Sequence, residues 1–237
     1  MSFSYFIWNG VHSCDMGIYL SGAAPILRGK ERVTTPTVPG RAGTLTLAEG
    51  DDVYEPYTVQ IVLRVKEPVS EALKWLRGDG YVTFSGEPDR RQKARIVSQM
   101  QFKPISKHLH YREGTVAFYC QPLKEALYED EYTVTNGAKI TNLGDIAEKP
   151  IFTLSGAYGN FTLSAGGRTL AVTNLDQALG GCVIDCDAAC VLSYDKTQLI
   201  TNLSGGEFPA LPVGESTLVL TGDHLGTVTI GRRQRWL

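Results

Sequence analysis

No stretch of the 237 residues approaches the ~20 consecutive apolar residues that cross a bilayer. Met1 to Gly10 has neither a basic segment nor an apolar one, so it does not read as a secretion signal. The expectation is a protein made and kept in a cytoplasm, with no membrane insertion. An excess of one charge is also missing. Residues 1–133 carry 16 Lys+Arg and 16 Asp+Glu, and residues 134–237 carry 7 against 9. Nucleic-acid affinity rests mainly on a large positive excess, which neither half has. The basic cluster Arg232, Arg233 and Arg235 is terminal and reads as a solvated end. Cysteine is scarce and odd in number, with Cys14, Cys120, Cys182, Cys186 and Cys190, which does not suit a secreted disulfide framework. No phosphate-cradling G-x-x-x-x-G-K-[ST], no G-x-G-x-x-G after a strand and no G-x-S-x-G elbow occurs. The expectation is therefore a non-enzyme without cofactor or metal.

What is present is a β pattern. Hydrophobic residues make up 43% and charged residues 20%, enough apolar content for packed cores. Glu31–Val38 and Thr44–Leu47, separated by Pro39-Gly40-Arg41-Ala42-Gly43, read as a hairpin. Tyr57–Val65 alternates, with Val59, Ile61, Leu63 and Val65 on one face. Ala72, Leu73, Trp75 and Leu76 switch to helical spacing, and Val69–Arg77 is predicted as a helix. Strands are predicted again over Tyr81–Ser85, Lys93–Phe102 and Gly114–Gln121, the last two limited by Pro104 and Pro122. The acidic cluster Glu129, Asp130 and Glu131 precedes an Asn136-Gly137 turn, and a boundary is placed there, giving domains 1–133 and 134–237. Beyond it, Phe161–Ala165 and Arg168–Thr173 flank Gly166-Gly167, a two-residue hairpin signal. Val183–Cys186 and Cys190–Tyr194 suggest a second hairpin, and Thr217–Thr221 with Thr227–Ile230 a last pair. Short strands at close spacing predict a β-sandwich.

Few side chains carry chemistry. His108 and His110 share a strand face, but a metal site needs three or four ligands and no partner lies near in sequence. His12, Cys14 and Asp15 lie together at a spacing that fits no nucleophile motif and reads as a buried thiol beside a turn. Cys182, Cys186 and Cys190 form a C-x3-C-x3-C run. If Asp187–Ala189 is a hairpin turn, Cys186 and Cys190 face each other. A cross-strand disulfide, a metal site and plain small core residues all stay open.

Four stretches, in order along the chain, resemble the distal tail protein family of long-tailed bacteriophages and related prophages. They are Phe6–Leu20, with Asn9-Gly10, Ser13 and Asp15-x-Gly17; Glu31-Arg32-Val33 followed by Val38–Leu45; Gly114–Pro122, ending Tyr-Cys-Gln-Pro; and Ser204–Glu215 with Thr227–Ile230 and the closing Arg235-Trp236-Leu237. The run from Arg232 lacks the family's usual Arg and Trp alternation, and the three-cysteine run is foreign to it. The resemblance implies a mainly β fold: an N-terminal tail-tube-like β-barrel or split sandwich with one α-helix, and a C-terminal galectin-like β-sandwich. It implies a virion protein of the phage tail tip, synthesised in the host bacterial cytoplasm. Six copies would form a hexameric ring, the baseplate hub, between the tail-tube protein and a tail-associated, baseplate or receptor-binding protein. DNA would pass through the channel without specific binding. Residues 40–55, with Arg41, Tyr54 and Tyr57, are the expected inter-subunit contacts. A carbohydrate-binding adhesin is the competing reading, although the His/Asn/Arg/Trp/Glu set of a galectin site is not visible after residue 134.

Overall fold

The computed structural model describes residues 4–40, 42–50, 52–106, 110–128 and 130–237. Arg41, His108 and Glu129, named above, lie outside the described residues. The chain forms two compact units, 1–127 with Leu237 and 128–236. The division falls before the expected 133/134, because Glu131–Val134 is already a strand of the second unit's sheet.

In the first unit the strands are β1 (Phe6–Trp8), β2 (Val11–His12), β3 (Ile18–Leu20), the short β4 (Lys30–Glu31), β5 (Val33–Thr34), β6 (Leu47–Ala48) and β7 (Tyr54–Glu55), then β8 (Tyr57–Lys66). After α1 (Ser70–Trp75) come β9 (Asp79–Phe84), β10 (Arg90–Ile96), β11 (Lys103–Pro104) and β12 (Tyr111–Ala126). An antiparallel sheet in the order β2-β1-β9-β10-β12-β8-β3 curls into half a barrel. The alternation of β8 decides its faces. Val59, Ile61, Leu63 and Val65 are buried, whereas Val62, the break in the polar side, is 43% exposed. They share one core with Phe6, Trp8, Val116 and Phe118, and with Ala72 and Leu76 at α1.

Proline limits the strands differently from the sequence expectation. Strand β10 ends at Ile96, where Val97 N and Ser98 Oγ bond to the Ala117 carbonyl and amide and the chain leaves the ladder. Strand β12 runs through Pro122 instead of stopping. Its pairing with β10 shifts between Gln92↔Lys124 and Ala94↔Cys120, so Gln121, Pro122 and Leu123 bulge. The pairing with β8 has already ended at Tyr57↔Cys120. A bulge is one of the places where a sheet tolerates proline.

The second unit contains β13 (Glu131–Val134), β14 (Lys139–Asn142), β15 (Ile151–Ser155), β16 (Tyr158–Ala165), β17 (Arg168–Leu175), β18 (Gly181–Asp185), β19 (Cys190–Ser193), β20 (Leu203–Gly206), β21 (Gly214–Thr217), β22 (Val219–His224) and β23 (Thr227–Gly231). One sheet runs β13-β23-β15-β18-β19, the other β20-β17-β16-β22, and β14 and β21 form a ribbon. Phe152, Leu154, Ile184 and Ile230 of the first sheet and Phe161, Leu163 and Leu170 of the second meet in one core, making a β-sandwich. Gly166 and Gly167, at φ 58° and 78°, make the predicted two-residue turn, which needs positive φ at both positions. The expected last pair does not form. Strand β22 pairs with β16 and β23 with β13 and β15, so the chain crosses between sheets at Leu225-Gly226.

The basic end is not solvated. Arg232 Nε and Nη2 donate to the carboxylate of Glu148 at 2.8 and 2.6 Å, and Arg233 N donates to Glu148 Oε1 at 2.6 Å. Glu148 is 0% exposed and Arg232 8%. Arg232 Nη2 also donates to the Thr141 carbonyl, and Arg233 and Arg235 pair with Asp185 and Asp187. A fully buried carboxylate needs charge and hydrogen bonds around it, and the arginines supply both.

Candidate functional site

The predicted hairpin at residues 31–47 is part of a longer arm. Lys30↔Glu55 and Glu31↔Tyr54 pair in β4 and β7, and Val33↔Ala48 and Thr34↔Leu47 in β5 and β6. An isolated bridge joins Thr37 to Thr44. Arg32 N donates to Val53 O and Glu49 N to Arg32 O. No described residue from 30 to 58 is buried. The arm is therefore a two-stranded ribbon without a core of its own. Such ribbons are marginal in water, and their free edges are templates for another chain. Val38 and Leu47 stand exposed along it.

The arm has a well-defined root. Gly29 is buried, and a Cβ there would come 2.9 Å from Cβ of Pro122 and 3.3 Å from Cβ of Tyr54. Tyr57 Oη donates to the Leu27 carbonyl at 3.0 Å and accepts from Gln92 Nε2 at 2.7 Å. The second N–H direction of Gln92 goes to the Gln121 carbonyl, at 2.6 Å, inside the bulge. Beside them Lys124 Nζ meets Glu87 at 2.7 Å, and Arg90 Nη1 meets the same carboxylate at 3.0 Å. Burial pushes the Tyr57 hydroxyl up to about 12, opposed by the Gln92 hydrogen bond, so it stays neutral and able to donate.

The sequence-predicted residues fare unequally. Tyr54 lies in the arm at its root, but the Tyr57 hydroxyl is turned onto Leu27 of its own chain. Cys186 and Cys190 are free thiols, and no disulfide joins them. The ladder pairs Cys190 with Asp185, one residue before Cys186, because the turn has four residues, 186–189, rather than three. Cys186 therefore points into the core with Cys182. Burial pushes the thiols of Cys120, Cys182 and Cys186 up to about 12, which holds them protonated and poor as nucleophiles. His12 caps the 3₁₀ turn Ser13–Met16, its Nδ1 accepting from Cys14 N at 3.2 Å. The root cluster of Gln92, Glu87 and Lys124 was missed. Its signals were a proline inside a strand-forming run and polar residues on an inward face.

In the sandwich, Lys149, Arg168, Asp187, Glu207 and Phe208 border a cleft of about 370 Å³. Its charges are spent on one another, Arg168 with Glu207 at 3.3 Å and Lys149 with Asp187 at 3.7 Å. Tyr158, an aromatic that a sugar would need, stacks on His224 with centroids 4.0 Å apart.

The fold of this chain, a half-barrel followed by a β-sandwich, is similar over its full length to that of a solved phage hub protein. The structure that shows it is the crystal structure of SPP1 Dit (gp 19.1), described as a paradigm of the hub adsorption apparatus in phages infecting Gram-positive hosts. The two are similar with a TM-score of 0.74 at 17% identity, over 100% of each chain. A chain in the phage P2 baseplate, in its activated conformation with Ca, is similar at a TM-score of 0.47 and 7% identity, over 99% of this chain and 98% of that one. No protein-family model matches the chain, and no curated protein matches it significantly.

Proposed function

We propose that this protein is a structural component of a phage tail tip, a hub that joins the tail tube to the baseplate or receptor-binding apparatus. Six copies close head-to-tail into a ring, and DNA passes through the channel. The observation that carries this reading is the full-length likeness to SPP1 Dit. Two physical arguments support it. A closed ring needs heterologous contacts, and an arm without a core offers one half of such a contact. A channel that passes DNA should not grip it, and residues 1–133 balance 16 basic against 16 acidic side chains.

In this reading the arm, with Arg41 and Tyr54, reaches a neighbouring copy, and the protein acts in the virion after synthesis in the host cytoplasm. Native mass spectrometry across concentration is the test. The expected result is a six-fold species, alone or with the tail-tube protein added. A monomer under both conditions sinks the ring. Saturable binding of a host cell-wall polysaccharide by that monomer would favour the adhesin reading instead.

A further inference from the structure

The arm's root is more heavily built than a passive connection requires. Residue 29 must be small, because any Cβ meets Pro122. The bulge that puts Pro122 there is itself held open by Gln92, which spends one donor on the Gln121 carbonyl and the other on Tyr57 Oη. Tyr57 passes the connection on to Leu27, on the irregular segment that enters the arm ahead of β4. Tyr57 also opens β8, the strand leaving the arm. The two legs are thus tied to each other and to the bulge through one phenol and one amide. Gln92 is 4% exposed and Lys124 5%, so the Gln92 end of the connection is shielded from water and its bonds are expensive to break, while the Tyr57–Leu27 bond lies at the surface. Pro25, Ile26 and Leu27, on the entering leg, line the same small pocket as Tyr57, Gln92 and Lys124.

We infer that Tyr57, Gln92 and the Gln121–Leu123 bulge form a clamp that fixes the direction of the arm, making Tyr57 and Gln92 positioning residues for pairing with a second copy of this chain. The inference rests on the ring reading for its partner. Its logic is geometric. A ring closes only if each contact repeats one rotation, so an arm free to swing at its root spreads that rotation over many angles. Fixing the arm before association removes an ordering cost that association would otherwise carry. Tyr57 serves the interface from inside its own subunit.

Two variants separate this from ordinary stability. Tyr57→Phe keeps the ring and deletes the hydroxyl that ties Gln92 to Leu27. Gln92→Leu keeps the volume and deletes both donors. Each is measured for backbone order parameters at Arg32, Leu45 and Glu49, for melting temperature, and for the concentration at which half the chains are assembled. In the wild type the arm amides are expected at the rigid value of about 0.85, and in either variant below about 0.6. The assembly midpoint should rise roughly tenfold or more, with both variants combined costing no more than the larger single effect, as one network requires. Arm amides already mobile in the wild type overturn the clamp. So do variants whose arms stay rigid, or whose arms loosen while assembly is unchanged. A midpoint shift that only tracks a large fall in melting temperature also overturns it. A wild type that stays monomeric with the tail-tube protein present overturns the ring and the pairing role together. The order parameters then still decide whether the clamp holds the arm.

Discussion

At the scale of single residues, the sequence hides what a side chain is paired with. Arg232 looks like part of a cationic tail, yet its guanidinium closes on a carboxylate with no solvent exposure. The partner lies 84 residues away, so no local pattern announces it. Removing one member of a buried pair leaves the other charged and unmatched, which costs about 3–5 kcal/mol. Arg232→Ala should therefore lower the unfolding free energy of the C-terminal unit by that amount in urea titration. The pair Glu148→Met with Arg232→Met should lose much less. Equal losses in the two variants would mean that the charges matter only through their volume. The cysteine run shows the same limit in another form. C-x3-C spacing is visible, but whether Cys186 faces Cys190 depends on a single residue of turn length, and the four-residue turn decides against it.

At the scale of elements, strands with one buried face are the legible ones. The alternation of β8 gives its inward residues correctly, since a strand with one wet face must repeat every second residue. Gly166-Gly167 likewise gives its hairpin, because few residues other than glycine adopt both positive φ values. The failures come where pairing is non-local. Strands β22 and β23 are neighbours in sequence but go to opposite sheets, and Pro122 sits in a bulge that only its partner strand can reveal. The arm itself is half legible. Its turn is written in Pro39-Gly40, but its lack of a core is visible only in the fold. Since Glu31 and Tyr54 already stand side by side, replacing residues 32–53 with a short Asn-Gly turn should leave the melting temperature of the monomer within a few degrees of the wild type. The same deletion should abolish the six-fold species in native mass spectrometry. A shortened protein that still forms it would remove the arm from the interface.

At the scale of the whole molecule, both units bury groups that burial keeps neutral to a higher pH than an unfolded chain would. Burial lifts Cys120 in the first unit and Cys182 and Cys186 in the second from 9.0 to about 12, and Tyr57 from 10.0 to about 12. Between pH 9 and 12 an unfolded chain releases protons that the folded chain keeps, so unfolding gains as pH rises. Below pH 9 both states hold these protons and nothing is lost. Melting temperature under reducing conditions should therefore be insensitive to these groups up to pH 9 and then fall progressively. Cys182→Ala should flatten the fall, and an unchanged slope in that variant would exclude the thiol as a cause. Fold class and the helix were legible in composition and period. The candidate site was legible only as a hairpin with a contact loop, because what makes it a site is that no described residue from 30 to 58 is buried, together with the tightness of its root.

An arm that buries nothing of its own has a genetic consequence. Substitutions at exposed positions between residues 32 and 53 are nearly silent to the monomer, so a mutational scan scored by soluble expression should find that stretch almost blank. The same library scored by the yield of infectious particles should light it up, with Gly29, Tyr57, Gln92 and Pro122 appearing beside it although they lie under its base. The distance between those two maps would mark, residue by residue, where selection on the single chain ends and selection on the particle begins.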